Sequence, residues 1–193
     1  MRRQEALFLA EDMFRSMQHC TYPNVMPDTV SFRTIIFAWA EYSVDLRYID
    51  RNKSRDAMDR AVALLYEMAK LRVDSGNITI DIDFSFFGKI ISTLALNQPK
   101  VIDEFVQCDL RQAEEVYQHM LDLYRSTRDK RFTPDTTLLC AMTLVYAKDG
   151  RPLEAEAILT RLENEARSKD QPSLLPRMSY YRGKYQPFMI FFS

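Results

Sequence analysis

The feature that most constrains this chain is a pair of apolar patterns that alternate along it. The first pattern, which we call stripe A, is an Asp followed at +4, +7 and +11 by larger apolar residues. It occurs three times, as Asp28-Phe32-Ile35-Trp39, Asp83-Phe87-Ile90-Leu94 and Asp135-Leu139-Met142-Tyr146. Apolar residues separated by three, four and seven positions lie on one face of an α-helix. Stripe A therefore predicts three amphipathic helices.

The second pattern, stripe B, is an Ala followed by apolar residues at +3, +4 and +7. It occurs four times, as Ala10-Met13-Phe14-Met17, Ala61-Leu64-Leu65-Met68, Ala113-Val116-Tyr117-Met120 and Ala155-Ile158-Leu159-Leu162. This spacing is also helical, and the small Ala allows a neighbouring helix to approach closely. Because the stripes alternate from the first B onward, the sequence predicts one helix followed by three helical hairpins.

Hairpins repeated in this way define a fold class. Each hairpin leaves an apolar face that only the next hairpin can cover. The sequence therefore predicts an all-α fold, an α-solenoid of stacked helix-turn-helix hairpins. Only 4 glycines in 193 residues agree with this and disfavour all-β classes rich in turns. The predicted organisation is the second helix of an incomplete repeat at 1–26, three hairpins at 27–165, and a divergent tail or incomplete repeat at 166–193.

The first two hairpins have longer links between their stripes than the third. These links, residues 41–57 and 96–109, contain neither stripe. We therefore expect them to be insertions at one edge of the stack. In particular, residues 43–55 are predicted to lie outside the core, so that trimming them would leave the helix content nearly unchanged.

The sequence contains no recognisable catalytic chemistry. Its three cysteines are widely separated without a CxxC, and its two histidines belong to no metal-binding motif. The glycines form neither a phosphate-binding loop nor a nucleophile elbow. These observations predict a protein that is not an enzyme and has no cofactor or metal. A net charge of −1 provides no overall attraction to nucleic acid, and no apolar run is long enough for a membrane helix.

Two segments resemble pentatricopeptide repeats: PDTVSFRTIIFAWAEY at 27–42 and PDTTLLCAMTLVYAKDGRPLEAEAILTRL at 134–162. The likeness extends over roughly residues 5–162, and Gly150 falls at the turn between the two helices of the third repeat. It implies binding of single-stranded RNA, with one base read per repeat. It also implies a role in RNA processing in a mitochondrion or plastid, although the chain has no clear targeting peptide. A start inside a hairpin is consistent with a piece of a longer array.

The resemblance also assigns an RNA interface. In each repeat, one base is read by the residue that follows the first large residue of stripe A and by the Asp before the next A helix. A third residue, two positions before that large residue, flanks the base. Carried over, the reading pairs are Arg33 with Asp83, Gly88 with Asp135, and Cys140 with a tail residue such as Ser173, and the flanking residues are Val30, Ser85 and Thr137.

Two other interpretations of these residues remain open. The three stripe A aspartates are also good helix N-caps, and the cations near the A helices are either phosphate contacts or ordinary surface charges: Arg33, Lys89, Lys148 and Arg151. The alternative function is a tetratricopeptide-like scaffold that binds other proteins and no RNA. The atypical Arg33, Gly88 and Cys140 at the base-reading position favour it. Neither reading implies a membrane or a small-molecule substrate.

Overall fold

The computed structural model describes residues 2–19, 25–75, 80–96 and 104–168. These ranges contain a short 3-10 helix, Lys130–Phe132, and seven α-helices: α1 Arg2–Gln18, α2 Thr29–Leu46, α3 Arg51–Ser75, α4 Phe84–Leu96, α5 Glu104–Thr127, α6 Thr136–Lys148 and α7 Pro152–Ser168. No strand occurs in these ranges, so the predicted all-α class is confirmed. The tail at 169–193, including Ser173, lies outside the described residues.

The stripes fall on the helices as the sequence predicts. Stripe A lies on α2, α4 and α6, and stripe B lies on α1, α3, α5 and α7. Each A helix packs against the B helix that follows it, and α2 also contacts α4, which in turn contacts α6. Three helical hairpins are therefore present, and each contacts the next. Gly150 forms the turn between α6 and α7 with a positive φ of 73°, a conformation that glycine adopts without strain.

The three A helices run in the same direction, side by side. At their beginnings, the Asp81 N–H donates to Thr29 Oγ1 at 2.6 Å, and an Arg131 guanidinium nitrogen lies 2.5 Å from an Asp81 carboxylate oxygen. At their ends, Lys148 Nζ on α6 donates to the Ala95 carbonyl on α4 at 3.1 Å. Because the segments at the beginnings of neighbouring A helices contact each other, and so do the ends of α4 and α6, the first turns of α2, α4 and α6 lie along one edge.

The stripes of the three hairpins form most of the core, whereas in stripe B of α1 only Phe14 is buried. Phe32, Phe87 and Trp39 of stripe A are buried, as expected for an apolar helix face that a neighbouring helix covers. The first residue of stripe B is fully enclosed in each of the three hairpins, at Ala61, Ala113 and Ala155. A side chain this small lets the packed helices approach closely at that point. Edge-to-face ring contacts connect neighbouring elements, as between Phe87 and Phe132, whose ring centroids are 6.2 Å apart.

The prediction that residues 43–55 lie outside the core holds for most of this segment and is wrong at Ser43, Arg47 and Ser54, which are buried. Helix α2 continues to Leu46 and α3 already begins at Arg51, so most of the extra residues lengthen two helices. The ends of these helices pack together, because the buried Ser54 hydroxyl donates to the carbonyl of the buried Ser43 at 2.7 Å. The sequence signal for the new helix start is Asp50, whose carboxylate accepts the Lys53 N–H at 3.1 Å.

Arg47, in the turn between α2 and α3, connects the first hairpin to the second. Its side chain is buried, and its guanidinium lies 3.5 Å from the Asp109 carboxylate on α5. It also donates to the Thr93 carbonyl on α4 at 3.5 Å. Burial lowers the pKa of Arg47, while the charge of Asp109 acts in the opposite direction.

The second long link, residues 96–109, is also partly helical. Residues 104–109 belong to α5, and Val106 is buried.

We expect the variant Ala113→Glu to lose about 3–5 kcal/mol of unfolding free energy, because it places an unpaired carboxylate in a fully enclosed contact. That is a large share of the stability of an ordinary domain. Thermal melts followed by circular dichroism measure the effect. The matched control is Ala157→Glu at an exposed position of α7, which should melt like the wild type. Equal melts for both variants would contradict the assigned phase of stripe B.

Candidate nucleic-acid interface

The RNA-contact positions implied by the resemblance occupy equivalent places on the three A helices. The flanking residue is the second residue of each helix, the base-reading residue is the fifth, and the Asp immediately precedes the helix. In chain order, the positions are Val30, Arg33, Asp83, Ser85, Gly88, Asp135, Thr137 and Cys140. Because α2, α4 and α6 are parallel neighbours, all of these positions belong to one edge of the protein.

The second position is solvent-exposed on all three helices. Val30 on α2 is 66% exposed, and Ser85 on α4 and Thr137 on α6 are exposed as well. The Ser85 hydroxyl donates to the Asp83 carboxylate, within its own helix start. One side chain per hairpin is thus available to a ligand that runs along this edge.

The fifth position differs from one helix to the next. Arg33 is exposed, but its guanidinium lies over the Phe86 ring of α4, 5.0 Å from the centroid. A Cβ added at Gly88 would contact nothing within 4 Å, so this position opens onto free space. Cys140 is buried. The three base-reading positions therefore differ both in side-chain type and in solvent exposure.

The aspartates accept hydrogen bonds from backbone N–H groups in the first turns of the A helices. Asp28 accepts the Ser31 N–H at 2.8 Å as the N-cap of α2, and Asp135 accepts the Leu138 N–H at 2.8 Å as the N-cap of α6. Asp83 accepts the N–H of Ser85 at 2.9 Å. These bonds satisfy amides that a helix start would otherwise leave unpaired. The bond from the Ser31 N–H lowers the pKa of Asp28, since it stabilises the charged form.

The other cations near the A helices already have partners inside the chain. Lys89 Nζ is 3.7 Å from a Glu41 carboxylate oxygen and so connects α4 to α2. Lys148 is bound to the carbonyl at the end of α4 described above. Arg151 lies 2.6 Å from a Glu114 carboxylate oxygen on α5. These side chains connect neighbouring helices, and a phosphate would have to compete with their present partners.

A second surface, which the sequence did not suggest, lies along α5 and faces α3. It is a shallow cavity of about 460 Å³ whose lining consists of Tyr66, Arg111, Glu114, Glu115, Gln118, His119 and Asp122. The Tyr66 and His119 rings are 4.3 Å apart. Burial raises the pKa of Tyr66 to about 12 and lowers that of His119. Two of its three carboxylates are already paired, Glu114 with Arg151 and Asp122 with Arg125.

Comparison with protein-family models, with curated proteins and with solved structures finds no match for this chain. The likeness to pentatricopeptide repeats thus depends on the two quoted segments and their spacing. No group of His, Cys, Asp or Glu within the described ranges could hold a metal ion. Of the helices described, none is both long enough and apolar enough to cross a bilayer.

The caps predict a pH dependence of stability. Asp28→Ala should lower the unfolding free energy by about 1 kcal/mol near neutral pH, whereas Asp28→Asn should retain most of it because Asn also caps. Since folding lowers the pKa of Asp28, its charged form stabilises the fold above the unfolded value of 3.8, and this contribution is lost as the pH falls through the folded pKa.

Urea unfolding of the three proteins between about pH 7 and pH 3 measures this dependence. The difference in unfolding free energy between wild type and Asp28→Ala should become smaller on acidification. The difference between Asp28→Asn and Asp28→Ala should stay constant. A wild-type gap that does not change with pH would contradict the role of the charged cap.

Proposed function

We propose that this chain is a set of pentatricopeptide-like hairpins stacked as an α-solenoid, and that the edge formed by the first turns of its A helices binds single-stranded RNA. The observation that carries this proposal is the exposure of Val30, Ser85 and Thr137 at the same place on three parallel, neighbouring helices. One exposed side chain per hairpin suits a strand that contacts one nucleotide per hairpin.

The contacts between helices support the stacked arrangement. Within the described residues, extensive contacts join the helices of each hairpin and the helices of successive hairpins. Neighbouring A helices are also bonded directly, α2 with the segment before α4 through Thr29 and Asp81, and α4 with α6 through Ala95 and Lys148. A repeated unit that contacts only its neighbours in this manner is typical of solenoids.

The chemistry of the edge supports contact with bases more than with phosphates. Val30 offers an apolar surface to a base face, and the hydroxyls of Ser85 and Thr137 can bond to base edges or to a 2′-OH. The aspartates that cap the helices offset the partial positive charge of the helix beginnings. We therefore expect weak binding with a modest dependence on salt. A role in organellar RNA processing follows from the family resemblance and belongs to the same proposal.

A second candidate function is a scaffold of the tetratricopeptide kind that binds proteins. Two observations favour it: Lys89, Lys148 and Arg151 already have partners inside the chain, and a cavity lies beside Tyr66 and His119 on the B helices. A peptide in this cavity would contact other residues than an RNA on the A-helix edge, so experiments can separate the two functions.

Affinity for RNA is the first test. Base stacking contributes about 1–3 kcal/mol per base, so three hairpins supply about 3–9 kcal/mol before the costs of association. We expect a dissociation constant in the micromolar range or weaker for a short single-stranded RNA, measured by fluorescence anisotropy. The logarithm of affinity should fall with that of salt at a slope of about −0.7 per phosphate neutralised, and Arg33→Ala should weaken binding and flatten that slope.

Val30→Ala should weaken binding about threefold to tenfold through lost contact with a base. Its control is Leu153→Ala, which removes a still more exposed apolar side chain at the start of α7 and should bind like the wild type. Absence of binding at about 50 mM salt and high micromolar protein would exclude RNA as the ligand of this chain and favour the scaffold.

Capping and base reading by Asp135 can be separated by one substitution. Asp135→Asn should preserve the bond from the Leu138 N–H, and with it the thermal stability, because Asn is as good an N-cap as Asp. It also replaces one acceptor with an amide donor, so base preference should change in a panel of RNAs that differ at one nucleotide. Unchanged preference together with unchanged stability would limit Asp135 to capping.

A further inference from the structure

Positive charge is concentrated in the chain between the last turn of α5 and the 3-10 helix. The segment RSTRDKR at 125–131 contains one carboxylate, on Asp129, and four cations: Arg125, Arg128, Lys130 and Arg131. The whole chain has a net charge of −1, so this excess is local. The two other links that lead from a B helix to an A helix, at 19–28 and 76–83, contain no Lys or Arg. A positive segment of this kind attracts anionic ligands.

Two of the four cations are already paired, and two are not. Arg125 lies 2.8 Å from a carboxylate oxygen of Asp122, and Arg131 is bound to the aspartate ahead of α4 described above. Arg128 and Lys130 are both exposed, and within the described ranges neither side chain has a hydrogen-bond or ion-pair partner. Their charges are therefore accessible to a ligand.

The loop that presents these two cations has a fixed conformation. Arg128 has a positive φ of 56°, which is uncommon for a residue with a side chain, and its N–H donates to the Tyr124 carbonyl at 2.8 Å. Asp129 accepts the Arg131 N–H at 3.0 Å and so caps the 3-10 helix, whose Phe132 is buried. Because the backbone is already held, a ligand does not have to order it on binding.

This loop adjoins the edge formed by the first turns of the A helices. Arg131 reaches the carboxylate of Asp81, three residues before α4 begins. Lys130 is the chain neighbour of Arg131, and α6 begins six residues after Lys130. Successive Cα atoms are only 3.8 Å apart, so the unpaired cations lie close to the first turns of α4 and α6. These are the turns in which Ser85 and Thr137 are exposed.

A phosphate group on this edge would bind most readily to cations that have no other partner. At Lys89, Lys148 and Arg151, it would have to replace a contact with another helix. At Arg128 and Lys130, no such contact is lost. A guanidinium can donate two parallel hydrogen bonds to one phosphate, and a lysine ammonium binds phosphate as a compact charge.

We propose that Arg128 and Lys130 bind the phosphates of the single-stranded RNA whose nucleotides contact Ser85 and Thr137. This inference rests on the function proposed above and adds the contacts to the sugar–phosphate backbone. The backbone of the strand then follows the loop between α5 and α6, while its bases lie on the first turns of the A helices. Since the two earlier links have no cation, the phosphate contacts are concentrated at the third hairpin.

The test is a titration of the full chain with a fluorescein-labelled single-stranded RNA of about ten nucleotides, followed by anisotropy between about 50 and 300 mM salt. The loop pair, Arg128→Asn with Lys130→Gln, removes both charges, and Asn tolerates the positive φ at position 128. We expect the loop pair to melt like the wild type and to bind about tenfold more weakly at about 50 mM salt. The slope of log affinity against log salt should become shallower by about 1.4, which corresponds to two phosphates.

The control pair, Arg111→Gln with Lys53→Gln, makes the same change in net charge elsewhere. Both residues are exposed and lie in the first halves of α5 and α3, towards the other end of the hairpins. This pair should retain the affinity and the salt slope of the wild type. Equal affinity and slope for the loop pair and the control pair would overturn the phosphate site, while RNA binding by the A-helix edge would stand.

A second measurement tests the phosphates directly. A strand with the same bases and uncharged methylphosphonate linkages should bind the wild type and the control pair about tenfold more weakly than the natural strand. The loop pair should bind both strands with nearly the same affinity. An unchanged preference of the loop pair for the natural strand would place the phosphate contacts elsewhere and overturn the proposal.

Two further outcomes would also overturn the proposal. An oligoglutamate peptide that binds the wild type as tightly as the RNA does, and is lost with the loop pair, would assign the loop to an acidic protein partner. A wild-type chain that binds neither strand would refute the RNA-binding function itself, and the phosphate site with it. That result differs from the case in which the wild type binds RNA and the loop pair binds it equally well.

Discussion

The structure depends on the need to cover the A helices, which are apolar on more than one side. In α6, every residue from Leu138 to Ala147 is buried. A single amphipathic partner covers only one face of such a helix, so burial on all sides requires several neighbours. For α6, these include its own B helix, the A helix of the preceding hairpin and the preceding B helix. The hydrophobic effect therefore selects the hairpin and its contact with the next hairpin at the same time.

Polar contacts between hairpins then fix the register of this apolar packing. The Arg15–Glu67 pair joins α1 to the first hairpin, and the Arg47–Asp109 pair joins the first hairpin to the second. The Arg47 pair is mostly buried, and such pairs add less to stability than to the choice of one arrangement, because desolvation offsets much of their attraction. Here the pair connects the turn of the first hairpin to α5, which sets how the first two hairpins lie together. This is why part of the long link between α2 and α3 is buried.

The same packing decides which residues a ligand can reach. In the first turn of each A helix, the packing leaves the second position exposed, at Val30, Ser85 and Thr137. It also encloses Cys140 and brings Arg33 onto Phe86, although these residues occupy equivalent places in their helices. Contacts with neighbouring helices therefore decide which side chains are accessible at the fifth position, whereas the second position is exposed in all three hairpins. The proposed edge for RNA relies on the second position for that reason.

By itself, the sequence determined the helices, their alternation, the buried stripe residues and the N-caps at Asp28 and Asp135. Helical periodicity and capping depend on residues within about one or two turns, so the local sequence contains the whole signal. Only the tertiary structure decided that Ser43, Arg47 and Ser54 are buried, and that Lys89 and Arg151 are paired. The partners that these side chains have in other helices lie between 11 and 62 residues away along the chain, as with Ser43 and Ser54 or Arg47 and Asp109. Such contacts form only when separate hairpins pack, and no local pattern encodes which side chains will then meet.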